Sequence, residues 1–502
     1  MAKICLCLTG KTLARDLEIL EKYRKYVDVA ELRVDYLEPD ERFLIRRFPE
    51  MAGLPVILTI RRDIEGGQFV GGEGARISLL SKGLAFADAD PRRNFAYVDL
   101  EEDLNVPSLE EAARTFGTRI IRSYHNINGM DADLAGHLRG LRRGGDELVK
   151  IAMTPHSLDH VVQVFQAARE TANMDKILLC MGDFGASTRI LAELLGSHIS
   201  YTAIKGEPDI PIGAPGQLDP RELVELYRFR NITPKTRIFG ITGYPLKATG
   251  SPLFFNTVFG LENIDAVYIA FPSDSIQSFL RLAEEIGMVG ASVTVPHKEA
   301  LFPYLAQKSE AVESIGACNT IVYDAAGWIG SNTDAPGFSD SLLEFIGKKN
   351  LKGKRITIIG AGGVAHAVAA EVYRLNGKAL ILNRNPSRAR NLAVPYRFLW
   401  GKLDTQGIAL MAKYADIIIQ TTSMGMEPDI TGDPLELYSF SGHEVVMDLI
   451  YKPEMTACLK RAAQAGCRVQ NGYDMLLRQA RYQYRHFMGV EFPAQLMSRM
   501  KM

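Results

Sequence analysis

A lysine in an apolar strand segment is the first residue of this sequence whose chemistry needs explaining. Lys150 stands in ELVKIAM, and because strand side chains alternate, Leu148, Lys150 and Ala152 share one face. An exposed edge strand would explain such a lysine in isolation. However, more charged side chains fall in or just after other strand-like runs: Glu31, Arg33, Arg61, Glu65, His125 and Arg189. Although one such charge is explained by structural ion pairing, convergence of the whole set predicts a pocket for a small anionic, hydroxylated substrate.

These residue types fit covalent carbonyl chemistry. A lysine that is desolvated and close to arginines loses part of its proton affinity and can attack a ketone to form a Schiff base. His125 can then move protons to and from the adjacent carbon, with Glu65 as a candidate to orient the imidazole ring. An aldolase-like use of the same imine lysine remains open at this point.

The elements that must position these residues are eight strand-like runs separated mostly by helical patterns. They begin at residues 3 (KICLCL), 29 (VAELRVDYL), 54 (LPVILTIR), 95 (FAYVDLE), 118 (TRIIRSYH), 147 (ELVKIAM), 176 (KILLCMG) and 198 (HISYTAI). Eight strands alternating with helices predict a (β/α)8 TIM barrel over residues 1–230, whose last helix is DPRELVELYRFR. Barrel enzymes place chemistry at the C-terminal ends of their strands, where these charges fall.

A glycine-rich turn marks a second functional region. RITII reads as a strand, GAGGVA follows as a turn, and an alanine-rich helix and the strand ALIL come next. This context predicts a Rossmann dinucleotide site in which the turn contacts the pyrophosphate. The predicted contacts in the turn are Gly360, Ala361, Gly362, Gly363, Val364 and Ala365. The second strand ends in NRNPSR, where Arg384 and Arg388 suit a 2'-phosphate, so NADP(H) is favoured over NAD. A solvated surface pair is the alternative for these arginines.

Between the two regions lie a lysine, an asparagine and an aspartate in turn-like positions. They are Lys298 in SVTVPHKEA, Asn319 in GACNT and Asp334 in SNTDAPG. Because such residues are usually solvent-exposed, spacing alone leaves an acid-base pair and a surface role equally open.

The domain limits follow from a change in local composition. The polar segment NITPKT at 231–236 separates the barrel from a second α/β pattern over 237–340 and a third over 341–474. The C-terminal helices at 475–502 are expected to pack back on the second pattern. Length alone predicts about three domains.

Composition excludes several classes of protein. The 502 residues carry 58 basic and 59 acidic side chains and are 47% hydrophobic, so neither nucleic acid nor a membrane is an expected partner. Six scattered cysteines form no disulfide framework and no zinc spacing, so no metal is predicted. We expect a cytoplasmic protein and leave its oligomeric state open, with a monomer among the options.

The first half resembles the type I 3-dehydroquinate dehydratases. The shared motifs are ELRVDYL, TIRRDIEGG, SYHN, VKIAM, STRI and APGQ, in that order. The resemblance implies that Lys150 forms the imine, that His125 is the general acid and base, and that Arg189 and Gln217 hold the substrate carboxylate. It also implies that Glu31, Arg33, Arg61 and Glu65 line the pocket. Two departures are Gly213, where the family usually has serine before APGQ, and the insertion-like KGEPDIPIG.

The second half resembles shikimate dehydrogenase throughout. The shared motifs are GYPLKATGSP, VTVPHK, GACNT, NTD, GAGG, NR, TTSMGM, MDLIY and NGYDMLLRQA. The resemblance implies an α/β substrate domain followed by a Rossmann NADP domain, with Lys298 and Asp334 as the acid-base pair. It places Thr249, Ser251, Thr294, Asn319, Gln479 and Tyr451 at the substrate, and Asn383 and Gly472 at the cofactor. Departures are Thr249 for serine, Ala248 for histidine, and Asp474 where glycine is common.

Both resemblances together predict a bifunctional shikimate-pathway enzyme serving aromatic amino acid biosynthesis. It would dehydrate 3-dehydroquinate to 3-dehydroshikimate through the lysine imine and then reduce that product to shikimate with NADPH. A metabolite-sensing regulator that keeps the pockets without the chemistry is one alternative. A second half that acts on quinate instead of shikimate is the other.

Overall fold

The computed structural model describes residues 1–85, 90–246, 249–493 and 495–496. The chain divides into two compact units. One unit comprises residues 1–240 together with 245–288, and the other comprises residues 241–244 together with the chain from 289 onward. The predicted domain limits 1–230, 237–340 and 341–474, and the packing expected of 475–502, stay predictions.

Eight parallel strands form the N-terminal sheet, and each predicted run supplies one of them. The sheet order is β7-β6-β5-β4-β3-β2-β1-β8, and a parallel bridge between Lys176 and Ser197 links its two ends. The TIM-like barrel predicted from the strand count is therefore confirmed. The strands are β1 (Lys3–Leu8), β2 (Val29–Arg33), β3 (Val56–Thr59), β4 (Tyr97–Glu101), β5 (Arg119–Asn126), β6 (Leu148–Met153), β7 (Lys176–Cys180) and β8 (Ile199–Thr202).

Alternate residues of these strands fill the barrel interior. The buried interior cluster contains Cys5, Cys7, Val29, Ile57, Tyr97, Ile121, Leu148, Ala152, Ile177, Leu179, Met181, Ile199 and Tyr201. Because Leu148 and Ala152 belong to this cluster, Lys150 between them also faces inward. The predicted face of β6 is correct.

The helices of this region follow the strands. They are α1 (Leu13–Tyr23), α2 (Phe48–Ala52), α3 (Glu73–Leu84), α4 (Pro107–Thr115), α5 (Leu134–Leu141), α6 (Leu158–Glu170) and α7 (Ala186–Ile190). Thr12 caps α1 by accepting from the backbone of Arg15. The predicted last helix has π geometry over Glu222–Leu226 and a separate 3-10 turn at Phe229–Asn231, because Arg228 between them adopts a left-handed conformation.

A second sheet has the order β10-β9-β11-β13-β14-β12. Its strand β13 runs antiparallel to both of its neighbours, so Asn319 stands at the start of a hairpin arm. The strands are β9 (Arg237–Gly243), β10 (Ala266–Pro272), β11 (Met288–Val293), β12 (Gln307–Lys308), β13 (Thr320–Asp324) and β14 (Gly327–Ser331). The helices are α8 (Ser251–Leu261), α9 (Ile276–Glu285), α10 (His297–Ala300), α11 (Glu310–Ile315) and α12 (Asp334–Ile346).

A third sheet is parallel and has the order β17-β16-β15-β18-β19-β20. Counted along the chain this is 3-2-1-4-5-6, the strand order of dinucleotide-binding Rossmann folds, as the glycine-rich turn predicts. The strands are β15 (Arg355–Ile359), β16 (Lys378–Asn383), β17 (Leu399–Lys402), β18 (Ile417–Gln420), β19 (Val445–Asp448) and β20 (Arg468–Gln470). The helices are α13 (Gly363–Arg374), α14 (Pro386–Ala393), α15 (Thr405–Met411), α16 (Ala457–Gln464) and α17 (Tyr473–Met488).

Helix α17 packs closely against α12. Gly337 of α12 lies against Gln479 of α17, and a Cβ atom at position 337 would come within 2.8 Å of the glutamine Cβ. This contact brings Gln479 beside the turn that precedes α12. Among the described residues, no helix is both long and apolar enough to span a bilayer.

Candidate functional site

A pocket of about 580 Å³ is lined by residues from both ends of the barrel sequence. It has the size of a small-molecule site. Every residue predicted for the first site lines it, namely Glu31, Arg33, Arg61, Glu65, His125, Lys150, Arg189 and Gln217. The structure therefore brings this predicted set together at one place.

The ammonium group of Lys150 is held by an acidic and an aromatic neighbour. Its Nζ donates to Oδ2 of Asp99 at 2.9 Å and lies 4.0 Å from Oε1 of Glu31. The same Nζ lies over the ring of Tyr201, 4.5 Å from the ring centroid. Both the carboxylates and the ring face attract positive charge, so the nitrogen occupies a cation site inside the barrel.

Asp99 is a residue of this pocket's framework that sequence reasoning missed. Its Oδ1 accepts from Arg61 Nη2 at 2.6 Å and from Ser123 Oγ at 2.5 Å. Burial alone would raise the pKa of Asp99, but the charges of Arg61 and Lys150 outweigh burial and hold it well below the ordinary value. A signal was present in FAYVDLE, since Asp99 and Glu101 share one face of an apolar run as Glu31 and Arg33 do.

His125 is paired with Glu65. Its Nδ1 lies 2.9 Å from Oε2 of Glu65, which fixes the ring as predicted for an orienting carboxylate. Burial first, and then the positive charges of Arg61 and Lys150, lower the pKa of His125 well below its ordinary value. The imidazole is therefore neutral near pH 7 and able to accept a proton.

Arg189 presents buried donors that lack partners. Nη1 donates to the backbone oxygen of Tyr201 at 3.1 Å, while Nε and Nη2 have no hydrogen-bond acceptor within the described residues. Burial lowers the pKa of Arg189 to about 10, which still leaves the guanidinium charged at neutral pH. A buried cation with two free N–H groups is suited to a ligand carboxylate.

Gln217 is hydrogen-bonded to strand β1 of the barrel and to its own loop. Gln217 donates from Nε2 to the thiol of Cys7 at 3.1 Å, and its Oε1 accepts from the backbone of Ala214 at 2.9 Å. The Cys7 thiol in turn donates to Oε2 of Glu31 at 3.0 Å. Burial and the charge of Glu31 raise the pKa of Cys7 well above its ordinary value, so the thiol keeps the proton that it donates.

Gly213, where the resembled family has serine, lies close to two side chains of the pocket. A Cβ atom there would come within 3.3 Å of Arg33 Nη1 and 3.4 Å of Gln217 Oε1. Arg33 is itself fixed by Asp35, whose Oδ2 accepts from Nη2 at 2.7 Å. A side chain at position 213 would therefore contact Arg33 and Gln217 directly.

In the second unit, Lys298 and Asp334 form a direct pair. Lys298 Nζ donates to Asp334 Oδ2 at 2.5 Å, and the two side chains are only 11% and 9% exposed. Lysines and aspartates in turns are usually more accessible than this. The structure thus favours the acid-base pair over the surface role that spacing left open.

Asn319 extends this pair into a chain of polar contacts. Its Nδ2 donates to Asp334 Oδ1 at 2.8 Å and to Thr333 Oγ1 at 2.9 Å. The Thr333 hydroxyl also contacts Oε1 of Gln479 at 3.4 Å. Asp334, Asn319 and Gln479 therefore lie in one network, in which Thr333 was not predicted.

The remaining predicted substrate contacts lie on several segments. Thr294 follows β11, and its backbone N–H donates to Thr242 at 2.9 Å. Tyr451 is half-buried just after β19. Thr249 and Ser251 adjoin the start of α8 in the other compact unit, where Thr249 Oγ1 accepts from the backbone of Ser251 at 3.3 Å. Their contact with substrate stays a prediction, and Ala248 lies outside the described residues.

The glycine-rich turn has the shape that a pyrophosphate needs. Gly360 has φ of +113°, and Gly362 precedes α13 with no atom within 4 Å of the place where a Cβ would stand. The backbone is thus open to a ligand at a helix N-terminus. Ala361 and Ala365 are buried, Val364 is half-buried, and Gly363 lies against the aliphatic part of Lys298. The predicted turn and the predicted proton donor are therefore neighbours.

The residues predicted for the 2'-phosphate follow β16. Asn383 ends the strand and donates from Nδ2 to the backbone of Asn385 at 2.9 Å. Arg384 and Arg388 are exposed, and neither forms an ion pair within the described part of the sequence. At Gly472 a Cβ would come within 2.1 Å of Leu449 O, so only glycine fits against the segment carrying Tyr451, and its contact with the cofactor stays a prediction.

Comparison with known proteins assigns both halves. Residues 4–234 match the profile of the type I 3-dehydroquinases, and residues 241–321 match that of the shikimate dehydrogenase substrate binding domain. Residues 342–441 match the shikimate / quinate 5-dehydrogenases.

Curated relatives with both regions exist in plants and bacteria. The chain is 29% identical over 495 residues to the chloroplastic bifunctional 3-dehydroquinate dehydratase/shikimate dehydrogenase of Arabidopsis thaliana, covering 93% of this chain and 79% of that protein. It is 26% identical over 486 residues to the shikimate biosynthesis protein AroDE of Chlamydia pneumoniae, covering 96% and 94%. Its C-terminal half is 36% identical over 262 residues to the shikimate dehydrogenase (NADP(+)) of Shouchella clausii, covering 51% of this chain and 94% of that protein.

Proposed function

This chain belongs to the type I 3-dehydroquinase family in its first half and to the shikimate dehydrogenase family in its second, and on that premise we propose which residues perform each reaction. It is a bifunctional shikimate-pathway enzyme, a lyase and an NADP-dependent oxidoreductase. The predicted family and enzyme class are confirmed. The residue roles below are our proposal.

In the barrel, Lys150 forms an imine with the ketone of 3-dehydroquinate. The single observation that carries this assignment is the position of Lys150 Nζ, which is bonded to Asp99, lies over the ring of Tyr201 and belongs to the pocket that the buried cation Arg189 also lines. Arg189 receives the substrate carboxylate on its two partnerless N–H groups. Gln217 helps to hold the same carboxylate, and the pocket residues Glu31 and Arg33 hold the remaining oxygens.

His125 moves the proton that dehydration requires. Since its pKa is lowered, the neutral imidazole accepts a proton from the carbon next to the imine, and the electrons move into the C–N unit. The protonated imidazole then returns that proton to the departing hydroxyl group, which leaves as water. Glu65 keeps the ring in position through both transfers and stabilises the imidazolium. Hydrolysis of the imine releases 3-dehydroshikimate and restores Lys150.

In the second half, Lys298 protonates the oxygen of the 3-dehydroshikimate ketone as it is reduced. Asp334 holds the ammonium in place at 2.5 Å, and Asn319 orients Asp334 from the other side. NADPH supplies the hydride when it is bound. The open backbone at Gly362, at the N-terminus of α13, would hold its pyrophosphate, and Arg384 and Arg388 would hold its 2'-phosphate.

Small molecules are thus the expected partners, namely 3-dehydroquinate, 3-dehydroshikimate, shikimate and NADP(H). We further infer a cytoplasmic enzyme, which is supported by six buried cysteines that form no disulfide.

The decisive experiment supplies the full chain with 3-dehydroquinate and NADPH only, and follows products by chromatography. Appearance of shikimate is expected, since it requires both reactions in sequence. The Lys150→Ala variant is the matched control, because it should oxidise no NADPH with 3-dehydroquinate yet reduce added 3-dehydroshikimate normally. Quinate formed directly from 3-dehydroquinate by that variant would instead support the quinate alternative. Absence of any adduct on Lys150 after borohydride treatment would refute the imine.

A further inference from the structure

We infer that Asp99 and Tyr201 keep the imine nitrogen on Lys150 protonated during dehydration, and so act as positioning residues for the barrel reaction. This inference rests on the proposed imine chemistry. It goes beyond it because neither residue belongs to the set predicted from the motifs. Both contact the nitrogen atom that reacts.

The hydrogen bonds of Asp99 keep it an ionised carboxylate beside that nitrogen. One oxygen accepts from Lys150, and the other accepts from Arg61 and Ser123, so both are hydrogen-bonded. The side chain is buried on β4, which is separated from β6 by β5 alone. A fully bonded carboxylate with two cationic neighbours does not take a proton from the lysine nitrogen.

Tyr201 favours positive charge from a second direction. Its ring face lies 4.5 Å from Lys150 Nζ, within the range of a cation–π contact. Its hydroxyl is buried and finds no hydrogen-bond partner within the described residues, so the ring position is not explained by bonding of the phenol. The ring itself therefore provides the interaction, and it does so for an ammonium or an iminium.

The charge at this nitrogen is conserved when the imine forms. A protonated lysine carries three N–H hydrogens; two leave with the ketone oxygen as water, and one remains on the iminium nitrogen. The C–O double bond breaks, the C–N double bond forms, and the nitrogen is positively charged before and after. A fixed carboxylate and a ring face at this point therefore need no rearrangement between the two states.

Protonation of the imine matters because only the cation is a strong electron sink. When His125 removes the neighbouring proton, the electron pair neutralises the iminium and gives an enamine, which keeps its N–H for Asp99. Loss of the hydroxyl group as water then restores the iminium. A neutral imine would accept the electron pair far less readily, so loss of Asp99 should slow proton removal more than binding.

Besides Asp99 and Tyr201, three titratable groups interact with this nitrogen and enter the same pH dependence. They are Cys5 from β1, Glu31 from β2 and His125 from β5, while Arg61 acts on it through its bond to Asp99. Glu101, also on β4, is the natural comparison, because it bonds to Arg61 and Arg76. Removing its charge changes the pocket's framework without removing the carboxylate bonded to Lys150.

The test is reductive trapping as a function of pH. The full chain is mixed with 3-dehydroquinate and cyanoborohydride, which reduces iminium ions in preference to neutral imines, and the adduct on Lys150 is quantified by intact-mass spectrometry. In Asp99→Asn we expect the upper pH limit of trapping to fall by about one unit or more, as for loss of a neighbouring opposite charge. We expect kcat to fall by roughly 100-fold, the range for loss of one preorganised electrostatic contact, with KM changed far less.

Three further variants make the result specific. Glu101→Gln should keep the wild-type pH limit of trapping. Tyr201→Leu should lower that limit, whereas Tyr201→Phe, which retains the ring, should shift it less. These two variants keep the test valid if Asp99→Asn does not fold, which circular dichroism reports. A wild-type pH limit in Asp99→Asn or in Tyr201→Leu would overturn the inference. A wild-type enzyme that traps no adduct at any pH would instead refute the imine itself.

Discussion

The two sites of this chain differ in where their charge comes from. In the barrel, buried charged groups on many strands contact one another through Asp99, Arg61 and their neighbours. In the second half, one pair, Lys298 and Asp334, is supported by neutral groups, chiefly Asn319 and the hydroxyl of Thr333. The first site is a charge network, and the second is a single ion pair held by amides and hydroxyls.

This difference follows from what each reaction must supply. Dehydration through an imine makes its own electron sink, so the barrel must stabilise a cation and a substrate anion at once with protein groups alone. Reduction receives its electrons from NADPH, so the protein needs only a proton donor and a support for it. A site that forms the iminium electrophile on its own lysine therefore requires more buried charged groups than a site whose cofactor supplies the electrons.

The largest effect should come from removing the imine nitrogen. Lys150→Ala is expected to lower dehydratase kcat by roughly 10⁴-fold or more, as for loss of a covalent nucleophile. Spectroscopic assay of 3-dehydroshikimate formation measures this. NADPH oxidation with added 3-dehydroshikimate should be unchanged in the same preparation, which also reports folding of that half. A dehydratase loss of less than tenfold would contradict the assigned role.

A somewhat smaller effect is expected from the ion pair. Lys298→Ala should lower kcat for 3-dehydroshikimate reduction by roughly 10³-fold, within the range for general acid-base groups. Stopped assays of NADPH consumption test it, with dehydratase activity as the internal control. Asn319→Ala should cost less, because Asp334 keeps its bond to Lys298. If Asn319→Ala proved the more damaging change, the neutral support would matter more than the pair.

The two exposed arginines should affect cofactor choice without affecting chemistry. Arg384→Ala combined with Arg388→Ala is expected to raise KM for NADPH by roughly 10-fold, since two exposed contacts to a phosphate of about 0.7 kcal/mol each amount to about 1.4 kcal/mol. KM for NADH should hardly change because it lacks the 2'-phosphate. Steady-state kinetics with both cofactors test this. Equal changes in KM for NADPH and NADH would show that the arginines do not bind the 2'-phosphate.

The smallest effect is a displaced pH limit in the barrel. A lowered pKa keeps His125 neutral in acid where an ordinary histidine, at about pH 6.5, would be half protonated. The acid limb of dehydratase kcat/KM should therefore lie below pH 6.5 and not at it. Activity measured from pH 5 to pH 8, with folding followed by circular dichroism, tests whether the acid limb is shifted below pH 6.5. An acid limb above pH 6.5 would mean that a different group controls this step.

The fold was largely predictable because strands buried on both faces leave short, uniform apolar runs. All eight barrel strands were located from such runs, and the GAGGVA turn predicted the Rossmann order of the third sheet. The antiparallel pairing of β13 was not predicted, because a two-stranded hairpin inside a mixed sheet has no separate periodicity. The π geometry at Glu222–Leu226 has no sequence signal that distinguishes it from a helix.

A site residue was predictable where a single charged side chain interrupts an apolar strand. The acidic partner of that residue was less predictable, because several acids in the sequence could have supplied it. Lys150 was found because it is the one charged residue within its strand. Asp99 and Glu101 look alike in sequence and differ in the cation that they bind, which is Lys150 for Asp99 and Arg76 for Glu101. The polar role of the Cys7 thiol was not predictable, because a buried cysteine usually packs as an apolar group. Its bonds to Gln217 and Glu31 depend on residues 210 and 24 positions away.

Gly363 belongs to the turn that we propose holds the cofactor, and it packs directly against Lys298, which we propose donates the proton. The same contact therefore limits both the cofactor site and the position of the acid. A Cβ at position 363 would come within 3.2 Å of the lysine Cδ. A side chain added at position 363 would therefore press on Lys298, whereas one added at Gly362 would meet no atom within 4 Å. Within this turn, position 363 is the one where a change made for the cofactor would also reach the acid.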